Sequence, residues 1–140
     1  MFTIPRFFSP HELLHSNTAV QQRIRNIPSW QVLQNLIQTG LYMDRVRELL
    51  GAPITVTSGF RSVDLNKAVR GSSTSSHMQG EAIDFRCNGL TTKQICDRIA
   101  ASDIRYDQIL DENTWVHIGF KLPMRMQYLR RTPNGYVPGR

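Results

Sequence analysis

Apolar residues recur at helical spacing over one long stretch of the chain, residues 30–50. A stripe of this kind predicts an amphipathic helix with one face on a core. Ser29 is a suitable N-cap, and Gly51 and Pro53 are suited to end the helix. The residues of the stripe are Leu33, Leu36, Ile37, Gly40, Met43, Val46 and Leu50. We expect this helix to serve as scaffold.

Three shorter helices are predicted as well. The segment SPHE at 9–12 combines a serine cap, a proline at the first helical position and a glutamate able to close a capping box. This helix should run to about residue 16, and another short helix should cover residues 62–68. The segment TTKQ at 91–94 is a second capping box that opens a longer helix. Its apolar stripe is Ile95, Cys96, Ile99 and Ala100.

Short segments rich in β-branched and aromatic residues predict the strands. A tight polar turn at residues 111–114 should join two of them as a hairpin, and residues 71–76 form a glycine-serine loop without periodicity. The predicted strands are 54–58, 81–86, 106–110 and 115–120, with a further edge strand at 124–129.

The order of these elements indicates the fold class. Helices come first, and strands joined by short turns follow with one helical insertion. This order predicts an α+β fold with a largely antiparallel sheet and flanking helices. At 140 residues the chain fits one domain, assigned here to residues 1–131. Residues 132–140 are rich in proline and glycine, and we expect them to form a loose tail.

Charge and hydropathy exclude several classes of protein. Seventeen lysine and arginine residues against eleven acidic ones give a net charge of +6. The basic residues form no long block and accompany no DNA-binding motif, so we expect no specific nucleic-acid partner, although mild attraction to an acidic polymer stays open. No apolar run is long enough to cross a bilayer, and the N-terminus lacks the pattern of a secretory signal. We therefore expect synthesis in the cytoplasm without an export signal. We also expect a monomer.

The two cysteines, Cys87 and Cys96, do not define a disulfide-rich scaffold. One disulfide between them is conceivable. The interpretation that we favour is a pair of small, buried, apolar thiols, because no Cys-x-x-Cys spacing indicates a structural metal site.

Strand alternation indicates that three polar side chains could lie on one face of the sheet. Within 81–86, Ile83 and Phe85 share the core face, so Asp84 points to the opposite face. In the strand 115–120, Trp115 and His117 lie opposite the apolar positions. If the two strands are neighbours, Asp84 and His117 project to the same side. His77 precedes the turn at Gly80 and could fold back over that face.

Two imidazoles and one carboxylate suit Zn²⁺, and three protein ligands with a free fourth position are typical of a catalytic zinc site. The sequence thus predicts a metal site at His77, Asp84 and His117. Histidines that are merely hydrogen-bonded within the fold are the alternative.

Two separated motifs resemble those of the zinc D-alanyl-D-alanine peptidase family, and the likeness is greatest to its short single-domain members from phages and bacteria. The segments that carry the resemblance are "TSGFRSVDLNKAVRGSSTSSHMQGEAIDF" and "YDQILDENTWVHIGF", preceded by "FSPHELLHSNTAVQQRIRNIP". The motif Ser-x-His-x-x-Gly-x-Ala-x-Asp is matched by Ser75, His77, Gly80, Ala82 and Asp84, and the motif Trp-x-His by Trp115 and His117. The likeness extends over about residues 8–120.

The resemblance implies a hedgehog/D-Ala-D-Ala peptidase-like fold, Zn²⁺ as cofactor, and hydrolysis of peptidoglycan stem peptides by carboxypeptidase or endopeptidase action. It implies that Arg61 faces the substrate, where a guanidinium could hold a carboxylate or stabilise oxyanion charge. Ser75 and Trp115 complete the predicted substrate-binding residues. For Ser75, hydrogen bonding to the substrate or to a zinc ligand and a purely structural role in the loop both stay open.

The general base is the point where the sequence departs from the family. Many relatives place an acid three residues before the last histidine, and Thr114 occupies that position here. Glu112, which follows the Asp-Gln-hydrophobic segment at 107–109, is the predicted base, and Asp111 is the second candidate. A solvated turn carboxylate with no catalytic role is the alternative.

The leading hypothesis is therefore an endolysin-like zinc peptidase, with action on the cell wall after phage-mediated release. The alternative is a catalytically inactive, zinc-stabilised module that binds the wall or forms part of a phage particle. Related folds in hedgehog signalling proteins look like a precedent, because they hold zinc in such a site without established peptidase function. Thr114 favours this alternative.

Overall fold

One six-stranded sheet with helices packed against it forms the described part of the chain. The structure, a computed structural model, describes residues 3–140. The helices are α1 (Pro10–Leu14), α2 (Asn17–Gln21), α3 (Trp30–Leu50), α4 (Val63–Ala68) and α5 (Thr92–Ala101), with a 3₁₀ turn at Ser76–Gln79. The strands are β1 (Ile54–Ser58), β2 (Ala82–Cys87), β3 (Gln108–Asp111), β4 (Val116–Gly119), β5 (Gln127–Thr132) and β6 (Gly135–Pro138).

The sheet order is β1-β2-β4-β3-β5-β6. Every neighbouring pair is antiparallel except β3 and β5, which run parallel. The α+β class with a largely antiparallel sheet is therefore confirmed. Helix α2 was not predicted. Within residues 3–140, no helix combines the length and the apolarity needed to cross a bilayer.

Local sequence signals explain where the main helices start. The side chain of Ser29 accepts a hydrogen bond from the backbone of Val32 and caps α3. Both predicted capping boxes are present, at the starts of α1 and α5. Because these caps satisfy backbone N–H groups that have no partner inside the helix, they fix the first turns.

The core lies between one face of the sheet and helices α3 and α5. Phe85, Ile83, Val116 and Ile118 are fully buried, as strand alternation predicted. Two members of the predicted stripe of α3, Leu33 and Ile37, are partly exposed, and the others are buried: Leu36, Gly40, Met43, Val46 and Leu50. This arrangement leaves the other face of the sheet for polar residues.

The expectation of a loose C-terminal tail is wrong. Residues 135–138 form β6, which pairs antiparallel with β5 in the register Arg131 with Tyr136 and Thr132 with Gly135. Thr132 Oγ1 donates to the carbonyl of Gly135, and its oxygen accepts from the backbone of Asn134. Proline and glycine thus build a hairpin turn and an edge strand here. Consequently β5, predicted as the edge strand, is an inner strand.

Both cysteines are free and buried. This agrees with the favoured interpretation of Cys87 and Cys96 as small apolar groups rather than a disulfide. Burial raises the pKa of both thiols, so neither is a reactive thiolate.

Helix α3 anchors the 3₁₀ turn that carries His77. Thr39 Oγ1 donates to the carbonyl of Gly80 (2.7 Å), and Asn35 Nδ2 donates to the carbonyl of Gln79 (3.0 Å). Gly80 has φ +70°, and a Cβ at this position would lie 2.7 Å from the backbone oxygen of Val32 on α3. Only glycine permits both the left-handed backbone and this close approach.

We predict that Gly80→Ala lowers the free energy of unfolding by about 2–4 kcal/mol, since left-handed strain and a backbone clash add. Gly89→Ala is the matched control, because Gly89 has φ +78° but nothing within 4 Å of the added Cβ. The control should lose about 1–2 kcal/mol from strain alone. Urea denaturation measures both values. Equal losses in the two variants would show that contact with α3 does not constrain the turn.

Candidate metal centre and active site

His77, Asp84 and His117 meet on the polar face of the sheet. Asp84 on β2 lies directly opposite His117 on β4 in the strand register, so the predicted pairing of these strands is confirmed. The 3₁₀ turn brings His77 over the same face. One ligand atom from each residue lies within 4.8 Å of the other two.

Asp84 Oδ1 is the centre of this group. It lies 3.1 Å from His77 Nε2 and 2.9 Å from His117 Nδ1. Two donors bound at about 2 Å to one tetrahedral zinc ion lie roughly 3.3 Å apart. The observed spacing therefore fits a shared metal ion.

The protonation of His77 also favours a cation. Its Nδ1 lies 2.7 Å from the carbonyl oxygen of Gly59, which can only accept, so Nδ1 carries the proton. In a neutral imidazole the remaining nitrogen, Nε2, then points a lone pair at Asp84 Oδ1. Two acceptors facing each other at 3.1 Å require either a second proton or a cation between them. A divalent metal bound by both atoms satisfies this requirement.

Burial makes the second proton costly. His77 is almost completely buried, and this desolvation lowers its pKa and favours the neutral ring, although Asp84 acts in the opposite direction. For Asp84, burial alone would raise the pKa, but the neighbouring imidazoles of His117 and His77 outweigh it and hold the pKa well below its usual range. A neutral imidazole and an ionised carboxylate are the protonation states that zinc needs.

Arg61 lies against this carboxylate. Its Nη2 donates to Asp84 Oδ2 (3.3 Å), its Nε to Ser58 Oγ (3.1 Å) and its Nη1 to Asn66 Oδ1 (3.3 Å). The guanidinium thus orients Asp84 and leaves Oδ1 for the two histidines. Direct contact of Arg61 with substrate stays a prediction.

Asn66 is a residue of the site that the sequence did not indicate. It is buried on α4, accepts from Arg61, and donates through Nδ2 to the carbonyl of Ser72 (2.9 Å). A Cβ on Gly71 would lie 2.0 Å from Asn66 Oδ1, so only glycine lets the loop approach this closely. Asn66 therefore fixes the 71–76 loop to the arginine.

The loop residue Ser75 caps the 3₁₀ turn. Its Oγ accepts from the backbone N–H of His77 (3.2 Å), so it supports a predicted ligand by hydrogen bonding. Trp115 is partly buried just before β4, and its carbonyl accepts from the backbone of Glu112 (3.0 Å). A substrate role for either residue stays a prediction.

The two acidic candidates for the base lie on opposite faces of the sheet. Leu110 on β3 is directly opposite His117, so the two side chains share a face. By alternation the side chain of Glu112 lies on the same side as Leu110, which is the metal face, the side of the sheet that carries Asp84 and His117. The side chain of Asp111 points to the opposite side, toward the helices. Burial, reinforced by the charge of Asp111, raises the pKa of Cys96 on α5, which places Asp111 near that helix. The geometry thus favours Glu112 over Asp111.

Two residues of the C-terminal hairpin contact Glu112, which is itself buried. Tyr136 donates its hydroxyl to Oε1, and Arg131 Nη1 donates to Oε2 at 3.3 Å. The sequence indicated neither contact: Tyr136 lies in the segment 132–140 that was expected to be loose, and Arg131 directly precedes that segment. No local motif indicates which turn carboxylate these residues would reach.

A polar cleft of about 340 Å³ opens beside His117. One wall is the 71–76 loop with Ser75, and the other includes Leu110 and Gln108 on β3. Lys121 and Arg125 lie on its lining, although Asp107 already binds Arg125 through both carboxylate oxygens. The cleft therefore gives a polar ligand access to the metal face.

The fold and the donor set define a class: a small α+β domain with two histidines and one carboxylate that could hold a metal ion, beside an open cleft. A family model described as Peptidase M15 matches residues 6–119, and the chain belongs to this family. The resemblance found from the motifs is thereby confirmed. Members of the family are zinc peptidases, so the chain is placed among the peptidase hydrolases. A comparison with curated proteins gave no match.

We predict that Asp84→Asn lowers zinc affinity more than about 100-fold, the upper end of the cost of losing an outer-sphere partner of a ligand. The reason is that Asp84 supplies the only anionic donor of the group. Asp103→Asn, which removes an exposed carboxylate paired with Arg45, should leave affinity unchanged. Competition with a chromophoric chelator gives the dissociation constants. Equal affinities for Asp84→Asn and the wild type would exclude this carboxylate as a ligand.

Proposed function

We propose that the protein is a zinc metallopeptidase that hydrolyses peptide bonds in peptidoglycan stem peptides containing D-amino acids. The observation that carries the proposal is the facing pair of acceptors, His77 Nε2 and Asp84 Oδ1, buried beside His117 and an open cleft. Membership of the Peptidase M15 family supports it.

His77, Asp84 and His117 would hold the ion through Nε2, Oδ1 and Nδ1. Zn²⁺ in this position supplies Lewis acidity to the scissile carbonyl and makes water a nucleophile near neutral pH. Arg61 would hold the carboxylate of Asp84 in its orientation during the reaction. Three of the five N–H groups of a guanidinium are engaged with protein, so two remain for a substrate carbonyl or carboxylate.

Glu112 would act as general base and then as general acid. Its carboxylate lies on the metal face, on the turn between the strands that carry Leu110 and His117. There it can take a proton from the attacking water and return it to the amine of the leaving residue. Thr114, at the position where many relatives carry an acid, is exposed and has no group that could replace this function.

The cleft suits a short peptide. Ser72, Thr74, Ser75 and Gln108 offer hydrogen-bond donors and acceptors along its walls, and Lys121 adds positive charge. We propose that stem-peptide carboxylates bind in the cleft beside Lys121. Whether the bond cleaved is a terminal D-Ala-D-Ala bond or an internal one depends on the length of peptide that the cleft accepts.

An inactive wall-binding or phage structural module is the second candidate. The observation in its favour is that both oxygens of Glu112 are already engaged, by Tyr136 and Arg131. A carboxylate held in this way could be a structural group of the hairpin. Zinc would then stabilise the domain, and the cleft would bind wall peptides without cutting them.

We further propose that the protein acts as a monomer on the wall after release from the cytoplasm through a phage-made membrane lesion. Its net positive charge of +6 would assist association with an acidic wall.

We predict that the zinc-loaded protein releases peptide fragments from purified peptidoglycan and that a chelator abolishes the release. Glu112→Gln should lower kcat by about 10²- to 10⁴-fold, the usual contribution of a general base, with zinc content unchanged. Glu48→Gln, an exposed substitution on α3, is the control and should retain full activity. Chromatography with mass spectrometry identifies the fragments and hence the bond.

The two candidates give different results in this digest. Zinc-dependent binding to peptidoglycan without fragments would support the inactive module. Undiminished turnover by Glu112→Gln would exclude Glu112 as the base, while leaving the peptidase assignment intact.

A further inference from the structure

The hairpin of β5 and β6 lies beyond the part of the chain that the family model matches, which ends at residue 119. It extends the sheet next to β3, the strand that leads into Glu112. Family membership therefore assigns no role to this hairpin, and its contacts with the site are those that the structure shows.

The strand register places one side of the hairpin on the metal face. Leu129 on β5 pairs with Leu110 on β3, and Leu110 is opposite His117. Arg131, two residues after Leu129, shares that face, and Tyr136 is its partner on β6. Tyr128 lies on the other face, where its hydroxyl donates to Asp97 on α5 (3.0 Å).

Tyr136 and Arg131 each hold one oxygen of Glu112. Their contributions differ. The Arg131 side chain is 56% exposed, and its contact at 3.3 Å is weakened by solvent. Tyr136 is itself 48% exposed, so exposure alone does not separate the two donors. The phenol is the closer donor to a carboxylate that is only 8% exposed, and its shorter contact makes Tyr136 the stronger of the two constraints on Glu112.

The electrostatics of Tyr136 agree with this arrangement. Burial and the hydrogen bond with Glu112 raise its pKa to about 12, and the charges of Glu112 and Asp84 add to the effect. The phenol thus stays a protonated donor at neutral pH.

We propose that Tyr136 is a positioning residue of the peptidase reaction: its hydroxyl donates to Oε1 of Glu112 and holds this carboxylate on the metal face. The proposal rests on the proposed function, because it assigns Glu112 the role of base. It makes the C-terminal hairpin part of the active site. Each carboxylate oxygen accepts more than one hydrogen bond, so Tyr136 leaves Glu112 able to receive the proton of water.

Tyr136→Phe tests the proposal, with Tyr128→Phe as matched control. Each variant removes one phenol-to-carboxylate hydrogen bond from the same hairpin, on opposite faces of the sheet. In Tyr136→Phe we expect kcat to fall about tenfold, because a base that is no longer held in place transfers the proton of water less efficiently. KM, zinc content and melting temperature should stay at wild-type values. Tyr128→Phe should leave kcat unchanged as well.

A second measurement does not depend on activity. With carbon-13-labelled tyrosine, the titration of Tyr136 followed by NMR should move from about 12 in the wild type toward the ordinary tyrosine pKa of about 10 in Glu112→Gln. An unchanged Tyr136 titration would overturn the inference even in an active enzyme. So would a Tyr136→Phe enzyme with the wild-type kcat.

Failure of the proposed function gives a different result. A zinc-loaded wild type that cuts no peptidoglycan overturns the peptidase assignment and, with it, the positioning role. The shift of the Tyr136 titration in Glu112→Gln would still occur, because the hydrogen bond does not require turnover.

Discussion

The site depends on one buried carboxylate. Asp84 places Oδ1 between two imidazoles and gives Oδ2 to the guanidinium of Arg61. An ionised carboxylate with so little exposure is costly unless positive charge and hydrogen bonds surround it. Arg61 supplies one positive charge at Oδ2, but His77 supplies none at Oδ1, because its proton is used on Gly59 and burial favours its neutral form. A divalent ion bound at Oδ1 would complete the balance.

The rest of the fold holds this carboxylate and its partners in place. Pairing of β2 with β4 sets Asp84 opposite His117, and α3 fixes the turn of His77 through Thr39 and Gly80. Asn66 ties Arg61 to the 71–76 loop, which forms a wall of the cleft. Scaffold and candidate site therefore lie on opposite faces of one sheet, with the apolar core on one side and the three candidate metal ligands and the polar cleft on the other.

Much of this could be predicted from sequence because it follows local rules. Capping boxes gave the starts of α1 and α5, and alternation placed Ile83 and Phe85 in the core and Asp84 on the other face. The parts that were missed depend on contacts distant in sequence. In the sequence nothing distinguishes Asn66 from other polar helix residues, because its hydrogen bond to Ser72 exists only in the folded loop. Tyr136 lies 24 residues from Glu112, in a segment whose prolines and glycines also suit a loose tail.

X-ray absorption at the zinc edge of the protein loaded with one equivalent of zinc tests the central claim most directly. The account predicts a first coordination sphere with two imidazole nitrogens, with oxygen in the remaining positions and no sulfur, from His77, His117, Asp84 and solvent. A sulfur ligand, a sphere without two imidazoles, or failure of the protein to retain zinc would contradict it.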